Sequence, residues 1–189
     1  EFTEQESETT EKTEGEWRVE QVKNHTTLVS GAHVKSDRVH KDSSSEPYLT
    51  GPDDFEGLGF RVTKYTDDPT KFCEAGDTLV TVKGSGCGKA AFANRRACIS
   101  RQLKALRPEP SVNSLHLYYS VKSKENFLQT LSEGSAIPGL SNSHLSTLDI
   151  PVPKLPEQRK IATVLYTVDR AIEKTDRIIQ KLDVIKKEI

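Results

Sequence analysis

The stretch from residue 155 to residue 189 reads LPEQRKIATVLYTVDRAIEKTDRIIQKLDVIKKEI. Apolar side chains recur along it at alternating intervals of four and three residues, a spacing that places them on one stripe of an α-helix. Pro156 suits the first helical position, and Glu157 suits the positive end of the helix dipole. The stripe consists of Ile161, Leu165, Val168, Ile172, Thr175, Ile179, Leu182, Lys186 and Ile189, with polar interruptions at Thr175 and Lys186.

The predicted helix, residues 156–189, is longer than a small domain needs. Its 34 residues would extend about 50 Å at about 1.5 Å per residue. We therefore expect a partner helix, in another chain or in another part of the same chain; the alternative is a helix packed on its own domain. The residues expected to pair or to dock a partner are Leu155, Glu157, Gln158, Ile161, Leu165, Val168, Ile172, Ile179 and Leu182.

The preceding residues, 17–155, predict an α+β domain with a small mixed β-sheet. Alternating or β-branched runs predict short strands at 17–22, 26–30, 78–82, 90–92, 97–99 and 103–107. Polar or glycine-rich stretches predict loops at 32–47 and 51–59. Helical spacing predicts one helix or a broken pair over 113–132 and a short helix over 142–148, whereas prolines keep 150–153 extended. The strands at 90–92 and 97–99 flank the turn Asn94-Arg95-Arg96 and suggest a hairpin.

Residues 1–16 contain seven Glu and one Lys and predict a disordered acidic tail. Without this tail the chain has 26 basic and 21 acidic residues. The net charge of −1 for the whole chain therefore combines an acidic tail with a mildly basic remainder. The chain has no run of about 18 apolar residues and no secretion signal. Three cysteines without CxxC spacing favour free thiols in a reduced cytoplasm over a disulfide framework or a zinc site.

The strongest binding signal is a basic run between Thr81 and Arg107, with seven Lys or Arg residues and no acidic residue. Such side chains can neutralise phosphates, and Arg and Gln can form paired hydrogen bonds to guanine and adenine. The alternative is an ordinary solvated sheet face. The expected DNA-binding residues, including two from the polar loop, are Lys35, Arg38, Lys83, Lys89, Arg95, Arg96, Arg101, Gln102 and Lys104.

Motifs for catalysis are missing. Gly88-Lys89 suggests a phosphate loop, but Lys83 stands where its first glycine is required, and Ala90 replaces the magnesium-binding hydroxyl. Nuclease and adenine-methyltransferase motifs are also missing, although a site assembled from distant residues stays open. We expect no enzyme activity, no cofactor and no metal site.

The segment from Gly139 to Ala162 resembles the end of a recognition domain in type I restriction-modification specificity subunits. The features that carry the resemblance are Leu148, the I-P-x-P run at 150–153, the L-P-E-Q helix start and the following I-A-x-x-L. Agreement is looser at Trp17, Gly31, residues 72–86 and Gly134-Ser135.

The resemblance implies a non-catalytic target recognition domain that binds one half of a bipartite double-stranded DNA site. It also implies adenine methyltransferase subunits docked on the long helix, and a restriction motor-nuclease subunit. Such subunits carry two recognition domains, so the chain is expected to be half of a longer protein or a half-subunit that dimerises through 156–189. The alternative is a coiled-coil scaffold without a DNA function.

Overall fold

A computed structural model describes residues 17–84, 86–133 and 139–187. The predicted acidic tail at 1–16, Gly134-Ser135 and Ile189 lie outside these residues. The strands are β1 (Val19–Gln21), β2 (Thr26–Ser30), β3 (Val39–His40), β4 (Glu46–Leu49), β5 (Phe55–Glu56), β6 (Gly59–Phe60), β7 (Tyr65–Thr66), β8 (Phe72–Cys73), β9 (Thr78–Thr81), β10 (Ala90–Phe92), β11 (Ala97–Ile99), β12 (Leu103–Pro108) and β13 (Asp149–Pro151). The α-helices are α1 (Ser114–Lys122), α2 (Glu125–Glu133), α3 (Asn142–Ser146) and α4 (Leu155–Lys187).

The central sheet has the order β10-β9-β12-β2, with every neighbouring pair antiparallel. Both of its faces are covered, which explains why the strand around Leu79 and Val80 is apolar without alternation. Leu79 packs on one side with Leu49 and Ile99, while Val80 packs on the other side with the helices. The predicted α+β class is confirmed.

A second sheet, with the order β3-β7-β4-β11-β8, covers the first face of the central sheet. Its β11 strand pairs with β4 in parallel and with β8 antiparallel. Four of its strands are only two or three residues long. Such short strands in a polar stretch give little periodic signal, so the predicted loops at 32–47 and 51–59 were wrong at β3, β5 and the first residues of β4 and β6.

The suggested hairpin around Asn94-Arg95-Arg96 was wrong. The strand on its N-terminal side, β10, pairs with β9 in the central sheet, whereas β11 belongs to the second sheet. The turn therefore connects two layers. Both strands were predicted at their observed positions, but their partners are distant in sequence, and local composition carries no information on such pairings.

Helices α1, α2 and α3 cover the other face of the central sheet through Leu117, Leu128 and Leu145. The expected broken pair is confirmed, since α1 ends at Lys122 and α2 begins at Glu125. The N-cap of α3 is Ser141, whose Oγ accepts the backbone N–H of His144 at 3.2 Å. The two-stranded sheet β1-β13 then leads the chain to α4.

Helix α4 is continuous over its 33 residues and begins one residue before Pro156. The backbone N–H groups of Glu157 and Gln158 both donate to the Lys154 carbonyl, at 2.9 and 3.0 Å. The predicted helix is thus confirmed over the part that the structure describes. None of the described helices has the length and apolar character needed to cross a bilayer.

Candidate nucleic-acid interface

The turn Ser100–Gln102 connects the second sheet to the central sheet and is held by hydrogen bonds on several sides. The Ser100 N–H donates to the Leu49 carbonyl at 2.9 Å, and its carbonyl accepts the Leu103 N–H at 2.9 Å. The Ser100 hydroxyl donates to the Thr50 carbonyl at 2.7 Å and accepts the Gln102 N–H at 3.1 Å. The turn is therefore fixed to the end of β4 and to its own first residue.

The neighbouring strand ends add two further attachments. The N–H of Val82, after β9, donates to the Gln102 carbonyl at 2.7 Å, and the N–H of Gly31, after β2, donates to the Leu103 carbonyl at 3.1 Å. A Cβ atom at Gly31 would lie 2.1 Å from the Ser100 carbonyl oxygen, so only glycine allows this approach. Gly31 therefore has a packing role that the sequence did not reveal.

Arg101 and Gln102 project from this fixed turn and are both exposed. Within the described part of the chain, Arg101 forms no ion pair. The Gln102 side chain lies over Gly51, where a Cβ atom would be 2.8 Å from its Oε1. Two exposed side chains capable of paired hydrogen bonds are thus carried on a turn whose backbone is fixed by hydrogen bonds.

An open cleft of about 440 Å³ lies beside the turn. Its cationic members are Lys64 and Arg101, and the Lys64 ammonium donates to the Thr50 hydroxyl at 2.8 Å. None of the lining residues is acidic, although the buried Asp54 carboxylate accepts the Thr50 hydroxyl at 3.0 Å behind the lining. The lining consists of His33, Val34, Ser36, Val39, Tyr48, Thr50, Lys64, Ser100, Arg101 and Gln102.

Two more lysines stand at the same end of the central sheet. Lys83 follows β9, and Lys104 is the second residue of β12, where it pairs in register with Ser30 and Val80. Burial, followed by the nearby charge of Lys83, lowers the pKa of Lys104. The Lys104 ammonium also contacts Asn142 Oδ1. With Lys35 on the segment that lines the cleft, these residues form the loop-end cluster: Lys35, Lys64, Lys83, Arg101, Gln102 and Lys104.

The structure does not bring the whole basic run together. Because β10 is antiparallel to β9 and Phe92 pairs with Thr78, the turn that carries Arg95 and Arg96 lies beside the start of β9. The loop-end cluster lies beyond the end of β9, so the two groups occupy opposite ends of the central sheet. Lys89 is exposed, and the residue after it donates its N–H to Glu125 at the start of α2.

Arg96 already has partners within the domain. Its guanidinium lies 3.6 Å from the ring centroid of Phe72 and within 3.1 Å and 3.5 Å of the carboxylates of Glu46 and Glu74. Arg38, expected to bind DNA, is paired with Asp67 at 3.2 Å. The geometry therefore gives Arg96 a structural role in the second sheet.

We expect Arg96→Ala to lower the free energy of unfolding by about 1 kcal/mol, since it removes a cation–π contact and partly exposed ion pairs. DNA affinity should stay unchanged. Urea unfolding and a binding titration check this, with Lys89→Ala as the control at an exposed site, because the Arg95 guanidinium itself lies 6.0 Å from the Phe60 ring centroid. A large loss of DNA affinity with unchanged stability would return Arg96 to the DNA-binding residues.

Gln158 was expected to dock a partner, and the structure corrects this. The side chain is 1% exposed. Its Oε1 accepts the Asn113 N–H at 2.7 Å, and its Nε2 donates to the carbonyls of Pro153 at 2.8 Å and Ser111 at 3.3 Å. Gln158 therefore fastens the start of α4 to the N-terminal end of α1 and has no surface to offer a partner.

Replacement of Gln158 by alanine is expected to lower the free energy of unfolding by about 2–3 kcal/mol. The change leaves buried backbone groups around Asn113 and Pro153 without their partner and opens a cavity. Denaturant titration measures the loss. Gln180→Ala, at an exposed site on the same helix, is the matched control, and equal unfolding midpoints for the two variants would contradict this assignment.

The other expected docking residues fall into two groups. Leu155 and Ile161 are half-buried, and the Glu157 carboxylate accepts the indole N–H of Trp17 at 3.0 Å. The apolar stripe beyond them is open to solvent, with exposed fractions of 39–58%. Its exposed members are Leu165, Val168, Ile172, Ile179 and Leu182.

Two anchoring residues of α4 were missed by the sequence analysis. The Tyr119 hydroxyl donates to the Asp169 carboxylate at 2.8 Å, and the Leu58 N–H donates to the Glu173 carboxylate at 3.2 Å. The sequence analysis assigns no role to either acid, and their partners are 50 and 115 residues away in sequence. No local signal could have identified them.

The described residues contain no group of three or more His, Cys, Asp or Glu side chains suited to a metal ion. All three cysteines are buried, and burial raises the pKa of Cys73 to about 12. The Cys73 thiol therefore stays protonated at neutral pH and is a poor nucleophile.

Comparison with known proteins gives a family and a fold. A family model described as the type I restriction modification DNA specificity domain matches residues 15–183. The chain is 29% identical over 141 residues to the type I restriction enzyme MjaVIII specificity subunit of Methanocaldococcus jannaschii, covering 75% of this chain and 33% of that protein. It is 34% identical over 110 residues to the MjaIX specificity subunit of the same organism, covering 56% and 26%.

Among solved structures, the HsdS subunit from Thermoanaerobacter tengcongensis has the same fold, with a TM-score of 0.73 and 24% identity. The match covers 91% of this chain and 42% of that one. A type I restriction-modification S subunit from M. genitalium matches with a TM-score of 0.68 and 22% identity over 87% of this chain. The chain spans roughly a quarter to two fifths of the length of the curated relatives that it matches.

Proposed function

The chain belongs to the type I restriction modification DNA specificity family, and from this premise we propose that it recognises one half of a bipartite double-stranded DNA target. The loop-end cluster contacts the duplex, with Arg101 and Gln102 directed at base edges. Lys35, Lys64, Lys83 and Lys104 neutralise phosphates on either side. The protein itself performs no catalysis and serves as the recognition part of a methyltransferase and restriction complex in the cytoplasm.

One observation carries this proposal: Arg101 and Gln102 stand exposed on a turn fixed by hydrogen bonds to three neighbouring segments. Base discrimination requires donors and acceptors held in place before DNA arrives, since a flexible side chain loses entropy on binding. A solvated sheet face has no need of such bracing. This feature favours DNA recognition over a scaffold without a DNA function.

The exposed stripe of α4 supports the second part of the proposal. Four of its five exposed members, from Val168 onward, are at least half exposed, an unfavourable state for apolar side chains unless a partner covers them. We propose that a second recognition half, in the same chain or in a second copy, and the adenine methyltransferase subunits bind along this surface. The restriction motor-nuclease subunit joins the resulting complex.

The proposal is tested with the chain assembled with its methyltransferase subunits, because we expect those subunits to contact the same duplex. Binding to a random duplex library is expected to enrich one defined half-site. A complex that forms but enriches no sequence would leave only the scaffold function.

A further inference from the structure

Helix α4 has an attached half and a free half. Between Glu157 and Glu173 its side chains contact Trp17, two residues before β1, helix α1 and the turn between β5 and β6. From Lys174 to Lys186 every side chain is exposed. The direction of the free half is therefore determined entirely by the contacts of the attached half.

The last of these contacts joins Glu173 of the helix to the turn residues Gly57 and Leu58. We name these three residues the helix seat. Glu173 Oε1 accepts the Leu58 N–H at 3.2 Å. Gly57 has a φ of +55°, and a Cβ atom there would lie 2.5 Å from the same oxygen. The other carboxylate oxygen pairs with Arg170 at 2.8 Å and Arg177 at 3.8 Å. The carboxylate is thus held from both the domain and the helix.

A second contact lies one helical turn earlier. The Tyr119 hydroxyl donates to Asp169 at 2.8 Å. Burial, followed by the hydrogen bond to Asp169, raises the pKa of Tyr119 above its ordinary value. The phenol therefore remains a donor at physiological pH, and this contact does not switch off. The two acids thus give the helix its last two contacts with the domain, after those of Glu157 and Gln158 at its start.

We propose that Glu173 and Asp169 are positioning residues that set the geometry between the loop-end cluster and the pairing half of α4. This inference rests on the proposed function. In an assembly with two recognition domains, the distance between their loop-end clusters depends on the direction in which each helix leaves its domain. The preferred spacing between two DNA half-sites is then controlled by residues that contact no DNA.

The direct test measures a distance within the full chain. Spin labels at Lys23→Cys and Lys181→Cys report the position of the free half, since both sites are exposed and the native cysteines are buried. Labelled protein is diluted with unlabelled protein so that only distances within one chain are detected. The parent chain should give one narrow distance distribution.

The Glu173→Ala variant should shift and broaden this distribution. Glu173→Gln should restore most of the narrow distribution, because its amide oxygen can still accept the Leu58 N–H. Lys174→Ala, at the adjacent exposed site, is the control. A distribution for Glu173→Ala that matches the parent in mean and width would overturn the proposal.

A glycine pair keeps the test valid if Glu173→Ala folds poorly. Gly57 and Gly76 both have positive φ, but a Cβ at Gly76 would meet nothing nearer than the Ser114 Cβ at 3.6 Å. Gly57→Ala and Gly76→Ala therefore both introduce backbone strain, on the order of 1 kcal/mol or more, and Gly76→Ala, at φ +96°, is the more strained of the two. Only Gly57→Ala should displace the helix. Equal distance distributions for the two variants would contradict the claim that the helix seat sets the direction of the free half.

The functional readout uses the assembled complex and duplexes with varied spacing between half-sites. Glu173→Ala should bind the same half-site sequence as the parent, but with a relaxed or shifted spacing preference. An unchanged spacing preference would contradict the positioning role. Absence of DNA binding by the parent complex would refute the proposed function, yet it would leave the spin-label result interpretable.

Discussion

Replacement of both Arg101 and Gln102 by alanine is expected to lower the affinity of the assembled complex for its preferred duplex and to remove its preference at the base pairs that these two residues contact. A good paired contact to a base edge contributes about 1–3 kcal/mol of discrimination. Loss of two such contacts corresponds to a decrease in affinity for the preferred duplex on the order of 100-fold, since about 1.4 kcal/mol is tenfold. Affinity for unrelated duplexes should fall much less, because the phosphate contacts of the lysines remain.

Fluorescence anisotropy at several salt concentrations measures both parts of this effect. The slope of log affinity against log salt concentration should change by less than about 0.9, which is the value for one phosphate contact. Arg95→Ala is the control, because Arg95 is exposed at the opposite end of the central sheet. If Arg95→Ala lost the sequence preference and the Arg101 and Gln102 variant kept it, the DNA interface would lie at the Arg95 end of the central sheet. That result would contradict the assignment to the loop-end cluster.

The second large effect concerns the exposed stripe of α4. Leu165→Gln combined with Ile172→Gln is expected to abolish self-association or methyltransferase docking. Burial of each side chain contributes about 1.5–3 kcal/mol, and burial of glutamine in its place adds a cost. The domain should keep its stability, since these two side chains are 39% and 54% exposed in the isolated chain.

Sedimentation velocity, with and without the methyltransferase subunits, detects the loss of assembly. Lys174→Gln combined with Lys181→Gln is the matched control, because both lysines lie on the side of the helix opposite the stripe. A parent chain that sediments as a monomer in both conditions would contradict the pairing role of the stripe. So would a stripe variant that still assembles as the parent does.

The elements with a local signal could be predicted from the sequence. Helix α4 was predicted within one residue of its start, because its period and the first-turn proline depend only on neighbouring residues. The buried strand around Val80 was predicted because it is covered on both faces and lacks alternation. The layers themselves could not be predicted, since β11 pairs with residues about fifty positions earlier in the chain.

Only part of the candidate interface could be predicted from the sequence. The basic run suggested one surface, but its residues separate because β10 reverses direction beside β9 and carries Arg95 and Arg96 to the far end. Lys64 joins the loop-end cluster from outside the run. Gln158 was assigned to a partner because an entry motif does not reveal whether its amide is buried. In each case the missing information was a long-range contact.

The most direct measurement is selection from a random duplex library by three assembled complexes: the parent, the Arg101→Ala and Gln102→Ala double variant, and Arg95→Ala. The parent should enrich one half-site, and Arg95→Ala should enrich the same one. The double variant should lose preference at the one or two base pairs that Arg101 and Gln102 contact, while the remaining positions persist. Enrichment of the parent half-site, unchanged at every position, by the double variant would contradict the assignment of base recognition to this turn.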